Sequence, residues 1–187
     1  MSLSVIELLQ ERKASRAIST QELSEEIIHQ LMNAAQLSAS CYNNQPWRFL
    51  FLSDASALDK GRKALPGPNG WAKTAPLLIV GISKPDLDCQ LKDGRDYYLF
   101  DLGMATQLLL LQATELNLIA RPMAGFNPNV IREEFAIPQE YEIYVMIAVG
   151  YEGDINELDE RLQEVSRAPR ERNSLSENFF PNKFEQT

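Results

Sequence analysis

Ser38-Ala39-Ser40-Cys41-Tyr42-Asn43-Asn44-Gln45-Pro46-Trp47-Arg48-Phe49 stands between a strongly helical pattern and a strongly extended one. Between Ser38 and Gln45 its polar side chains are hydroxyls, amides and one thiol, and the stretch contains no carboxylate. Such a set suits a neutral heteroaromatic ligand that needs donors and acceptors around its edge. The same composition also fits a plain polar connection, because residues of this kind favour turns for purely local reasons. Pro46 biases Gln45 away from helix and directs the chain into a strand.

Upstream, residues 4–13 read as a short amphipathic helix. Ser19-Thr20-Gln21-Glu22 fits a capping box for the next helix, with Ser24 as the alternative start. That helix carries Ile27, Ile28, Leu31, Met32, Ala34 and Ala35 at helical spacing and should run to about Ser38. His29 lies inside it, and a single unpartnered histidine supports neither a triad nor a metal site.

Downstream, residues 47–52 read as a buried strand, and Asp54 can cap a short helix through Lys63. Pro66-Gly67-Pro68-Asn69-Gly70 is a breaker cluster. Residues 76–82 form a second strand and 86–94 a polar loop. Residues 96–117 form the longest helix, with apolar side chains on nearly every face, so more than one neighbour must cover it. Residues 118–125 read as extended, ending at Gly125. Asn127-Pro128 supplies an N-cap and N1 pair for a short helix. Residues 142–149 are the last core strand, and 154–165 are charged and partly helical.

The 187 residues fit one domain over 1–187 with ample length for a core. No apolar run approaches the roughly 20 residues that span a bilayer. Met1-Ser2-Leu3-Ser4 has no basic start, apolar core or cleavage site, so a cytoplasmic location is expected. Cys41 and Cys89 are the only cysteines, and without any sign of secretion both are read as reduced. They make no convincing metal site with His29, and no metal is expected.

The net charge of −8 argues against a nucleic-acid partner. Within that acidic chain, basic residues gather near both ends: Arg12, Lys13 and Arg16, then Arg167, Arg170 and Arg172. Either these are two solvated clusters or folding joins them into one anion site. No Gly-x-Gly-x-x-Gly occurs, which disfavours a Rossmann dinucleotide site.

Asn43-x-Gln45-Pro46-Trp47 resembles the signature segment of the nitroreductase family of FMN-dependent NAD(P)H oxidoreductases. Ala39 stands where that signature usually has Pro. Three further stretches resemble the family in the same order. Arg12-Lys13-Ala14-Ser15-Arg16 is similar to its basic opening, with Ala14 in place of the usual Ser. Ala124-Gly125-Phe126 is similar to a turn near the flavin. Arg170-Glu171-Arg172 is similar to its closing arginines, with Ser174 where Pro is common. The resemblance covers about residues 4–177.

The resemblance implies an α+β fold, a mainly antiparallel central sheet sandwiched by helices, in an intertwined homodimer. It implies FMN as cofactor and NAD(P)H as electron donor, in a ping-pong reaction with a small organic acceptor such as a nitroaromatic, quinone or enone. One subunit would supply Arg12, Lys13, Ala14, Arg16, Met123, Ala124, Gly125, Arg170 and Arg172. The other would supply Ser40, Cys41 and Asn43. Asn69 is a further flavin-facing candidate and Lys73 a weaker one. No side chain is expected to act as a catalytic acid or base, because the cofactor carries the chemistry. The tail at 178–187, with Phe179, Phe180 and Phe184, is expected to dock on the body or on the partner subunit. The alternative from another class is a flavin-binding sensor or storage protein without turnover.

Overall fold

The computed structural model describes residues 4–184. Four strands form one antiparallel sheet in the order β1-β2-β4-β3. They are β1 (Arg48–Leu52), β2 (Leu77–Ser83), β3 (Leu118–Met123) and β4 (Glu142–Tyr151). In the central strand β2, period-two alternation sends Leu77 and Ile79 to one face and Leu78 and Val80 to the other. Both faces are covered, so each strand reads as a nearly continuous apolar run.

Helices α2 (Glu25–Gln36) and α4 (Tyr97–Glu115) pack on the Leu77–Ile79 face with Ile147 and Val149. The opposite face, with Leu78, Val80, Met146 and Ala148, is covered by α3 (Ala55–Arg62), the turn at Gly67–Thr74 and α5 (Pro128–Glu134). Each fully buried Leu or Ile contributes roughly 1.5–3 kcal/mol relative to exposure. The expected α+β sandwich of helices about an antiparallel sheet is therefore the observed architecture.

Local signals explain most boundaries. Ser4 begins α1 (Val5–Glu11) with a complete capping box. Asp54 Oδ1 accepts from the Ala57 N–H at 2.9 Å, and Asn127 Oδ1 accepts from Asn129 and Val130. The Ser19 start for α2 is corrected: Ser24 is the N-cap. Ser19 is held by another strand end, its N–H donating to the Tyr151 carbonyl. The neighbouring Ile18 bridges Glu152, which keeps this segment extended. Helix α6 (Glu160–Arg167) and the short α7 (Leu175–Asn178) follow β4.

The long helix α4 is only partly covered. Asp101, Leu102, Ala105, Leu109, Leu110 and Ala113 are buried, but Phe100 is 56% exposed. An apolar groove of about 480 Å³ runs along its outer side, lined by Leu99, Leu102, Leu110, Pro122, Tyr144 and Val145 among others. In the tail, Phe180 and Phe184 pack on each other with centroids 4.7 Å apart, while Phe179 is exposed. Residues 185–187 of the tail lie outside the described residues.

Candidate functional site

The two basic ends of the chain meet. The Arg170 guanidinium donates to the backbone carbonyls of Leu9, Gln10 and Arg12, closing the C-terminal end of α1. Those carbonyls have no partner within the helix, and a cation is favoured there. Burial first, then the charges of Arg170 and Arg172, lower the Arg12 pKa. Among the described residues, Arg12, Arg16, Arg121, Arg170 and Arg172 form no ion pair with a carboxylate. Guanidinium groups without a carboxylate partner are chemically suited to hold an anion.

Lys13 stands apart from this group. Its Nζ binds Glu152 at 2.6 and 2.8 Å on the surface, so its charge is already matched.

A second part of the site forms around Arg121, which the sequence reading did not single out. Its guanidinium donates to the Ala14 carbonyl and lies over the Trp71 ring, 5.5 Å from the centroid. Burial first, and Arg16 second, push the Arg121 pKa down to about 10. The signal was present in Ala120-Arg121-Pro122, where one charged residue interrupts an apolar strand.

Trp71 connects this arginine to the Gly125 turn. Its Nε1 donates to Asn69 Oδ1 at 3.2 Å, and Asn69 Nδ2 donates to the Gly125 carbonyl at 2.7 Å. Asn69 thus braces the turn with both ends of its amide. A Cβ on Gly125 would lie 2.9 Å from Asn69 Nδ2, so a side chain here would push the Asn69 amide out of its present position. Ala124 and Gly125 are exposed, whereas the Met123 side chain is buried in the core and leaves only its backbone for a ligand. Arg16, Asn69 and Trp71 line a cleft of about 720 Å³ whose far wall includes Leu158, Leu162 and Val165 of the α6 region. Lys73 is exposed and does not line this cleft.

The Ser38–Phe49 stretch lies elsewhere, packed against α4 and the segment after β2. The Cys41 N–H donates to Asp101 Oδ2 at 2.7 Å, and Ser40 Oγ accepts from the Gln45 N–H at 3.0 Å. Tyr42, Asn43 and Gln45 all have positive φ, at 47°, 58° and 51°. Tyr42 is 92% exposed, and Asn43 also faces outward. The reading of both cysteines as reduced is corrected: Cys41 and Cys89 are joined by a disulfide, with Cα atoms 6.2 Å apart. Two cysteines separated by 48 residues give no sequence signal of proximity. The fold brings them together by laying the loop after β2 beside the start of β1. Cys41 therefore offers a ligand its backbone and a bonded sulfur, not a thiol.

Within one chain, then, Arg12 meets Arg170 and Arg172, Arg16 lies with Arg121 beside the cleft at Asn69 and the Gly125 turn, and Ser40, Cys41 and Asn43 lie in a separate segment against α4. The nitroreductase family model matches residues 9–66 and 61–151. The chain belongs to the nitroreductase family. Across 164 residues it is 29% identical to a protein of Archaeoglobus fulgidus provisionally named NADH dehydrogenase/NAD(P)H nitroreductase, covering 83% of this chain and 91% of that one. A solved oxidoreductase described as containing FMN superposes with a TM-score of 0.88 at 27% identity, over 100% of this chain and 96% of its own. A nitroreductase family protein of Clostridium difficile 630 gives 0.81 at 27% identity, over 97% of this chain and 100% of that one. For a nitroreductase family member, the cleft beside Arg16 and the Gly125 turn is the principal ligand-binding candidate. No helix among its described residues is long and apolar enough to cross a membrane.

Proposed function

We propose that this family member is an FMN-dependent oxidoreductase that takes hydride from NAD(P)H and delivers it to a small organic acceptor, a nitroaromatic, quinone or enone, in a ping-pong cycle. The observation that carries the reading is the meeting of Arg12, Arg170 and Arg172 from opposite ends of the chain with no carboxylate partner among the described residues. A dianionic phosphate ester suits that donor set, because guanidinium forks bind its oxygens with charge-assisted bonds.

The fit extends from phosphate to ring. Arg12 and Arg172 would hold the phosphate, and Arg170 would add its charge while closing α1. Arg16, backed by Arg121, would face the N1 and C2-carbonyl edge. The backbone N–H groups of Ala124 and Gly125 would orient N5, with Asn69 fixing the turn. When bound, FMN supplies the hydride-transfer chemistry; the chain supplies position, charge and a cavity.

Among the described residues no hydrogen bond joins Ser40, Cys41 or Asn43 to Arg12, Arg16, Arg170 or Arg172, which supports a second subunit's part in the site. We infer a homodimer in which the partner subunit's Ser40, Cys41 and Asn43 complete each site. The uncovered apolar side of α4 supports this assembly, as does the exposed aromatic tail.

The deciding experiment is purification followed by an absorbance spectrum and mass analysis of the released cofactor. FMN at about one per subunit, with sustained NAD(P)H oxidation when an acceptor is added, is the expected result. Failure to bind FMN after reconstitution would reject the reading.

A further inference from the structure

Resting on the flavin reading above, we propose that Cys41–Cys89 is a thiol–disulfide exchange site. Small dithiols reduce it, and its opening releases the 38–45 loop and weakens flavin binding. The observations are a strained loop, a disulfide that clamps it and a buried carboxyl pair beside the sulfurs.

Three residues of this loop, Tyr42, Asn43 and Gln45, occupy the left-handed region without being glycine. Asn tolerates that region, but Tyr and a residue preceding proline do not readily adopt it. Such a conformation persists only where its surroundings over-determine it. Hydrogen bonds hold the loop, among them the Cys41 N–H to Asp101, the Gln45 N–H to Ser40 Oγ, Asn44 Nδ2 to Asp88 Oδ1 at 3.2 Å and Gln36 Nε2 to Gln45 Oε1 at 2.6 Å, and the Cys41–Cys89 disulfide acts beside them. The disulfide is the one covalent member and the one that chemistry can undo.

Access and a proton source are both present. Cys89 lines an open cleft of about 270 Å³ shared with Arg95, Asp96 and Tyr97, and neither cysteine is fully buried. The two sulfurs and an Asp88 oxygen lie within 4.8 Å of one another. Bonded to each other, these sulfurs are not available as thiolate ligands for a metal. Asp88 Oδ2 and Asp101 Oδ1 are buried and receive no donor among the described residues. Burial beside another carboxylate favours the neutral form of Asp101. Burial first, and then the charge and hydrogen bond of Asp88, raise the Asp101 pKa against the lowering effect of the Cys41 N–H.

The exchange balances as follows. One thiolate of the dithiol attacks Cys89 Sγ, forming a mixed disulfide as the Cys41–Cys89 bond breaks. The electron pair leaves on Cys41 Sγ, which takes the proton of the Asp88–Asp101 pair. The second thiolate then attacks the dithiol's own sulfur in the mixed disulfide and expels Cys89, which is protonated from solvent. The carboxyl pair regains its proton from solvent. The protein gains two electrons and two protons, and the dithiol becomes a cyclic disulfide.

The test treats the folded, full-length protein with dithiothreitol. Free thiols are counted, circular dichroism monitors the fold, and FMN affinity is measured at each degree of reduction. Two thiols should appear without denaturant, with the fold retained and proteolysis at residues 41–45 accelerated. The FMN dissociation constant should rise roughly five- to tenfold, because the binding-competent loop becomes a minority conformer. Cys89→Ser should show the weakened affinity without reductant. Asp101→Asn should slow exchange most on the neutral side of its pH profile, with the charges of Asp88, Arg95 and Asp96 left in place.

Thiols that appear only on unfolding would overturn the proposal. So would complete reduction with unchanged FMN affinity and loop proteolysis. If neither redox state binds FMN, the flavin reading and the control of flavin affinity both fail. The exchange site itself would then be judged on thiol release and loop proteolysis alone.

Discussion

Arg170 Nη2 donates to the backbone carbonyl of Gln10 at 2.9 Å, across 160 residues of sequence. The contact separates two arginines that look equivalent in Arg170-Glu171-Arg172. Arg170 is fastened to the end of α1, whereas the exposed Arg172 guanidinium donates to the adjacent Glu171 carbonyl.

Arg170→Ala should therefore lower thermal stability as well as FMN affinity, with a stability loss of about 1–2 kcal/mol from the freed carbonyls. Arg172→Ala should leave the melting temperature nearly unchanged and weaken FMN roughly ten- to a hundredfold. Differential scanning calorimetry and flavin titration on both variants make the comparison. Equal losses of stability would remove the distinction.

The basic ends were legible in the sequence because arginines are conspicuous in an acidic chain and their charge survives any fold. The sheet was legible because strands buried on both faces leave continuous apolar runs. Ser19 misled because a capping-box pattern is local, while its N–H is taken by Tyr151 from β4. The disulfide was hidden because the approach of Cys41 and Cys89 depends on tertiary packing alone. Asp101 was visible as one carboxylate in an apolar helix, but its neighbours Cys41 and Asp88 come from other segments.

If the Gly125 turn faces FMN as proposed, Gly125→Ala should disturb flavin binding without unfolding the protein. The new Cβ would press on Asn69 Nδ2 at 2.9 Å and displace the amide from the Gly125 carbonyl. Affinity for FMN should fall several-fold, about 1 kcal/mol. In an Asn69→Ala background the same substitution should cost less, because the obstructing amide is gone. A double-mutant cycle measures that coupling, and strict additivity would show that the two residues do not act together.

Phe100→Glu should prevent dimer formation. The side chain is 56% exposed beside the apolar groove of α4, where a charge would have to be buried in an interface. Sedimentation equilibrium should give a dimer for the wild type and a monomer for the variant. On the proposed composite site, the monomer should bind FMN poorly, because it would lack the partner subunit's Ser40, Cys41 and Asn43. A wild-type monomer that binds FMN tightly would contradict the composite site.

Arg16 provides the sharpest test of redox function, because its removal should change stability and potential in opposite directions. Arg121 is pushed down to a pKa of about 10 by burial and by Arg16. A cation whose folded pKa is lowered opposes folding wherever it is charged. Above about pH 10 the unfolded state binds more protons, so this contribution to stability improves only as pH rises past that value. At neutral pH the repulsion is fully present. Arg16→Gln should relieve part of it and raise the melting temperature of the flavin-free protein. On the proposed placement, the same substitution would remove a counter-charge from the N1 edge, where reduction adds negative charge. Oxidised FMN should bind nearly as well, while the two-electron midpoint potential falls by a few tens of millivolts, about 30 mV for each 1.4 kcal/mol lost. Hydride transfer from NAD(P)H should slow more than reoxidation does. Calorimetry of the flavin-free forms and spectroelectrochemistry at matched FMN occupancy read the two effects separately. A raised melting temperature with an unchanged potential would place Arg16 near Arg121 but away from the flavin ring.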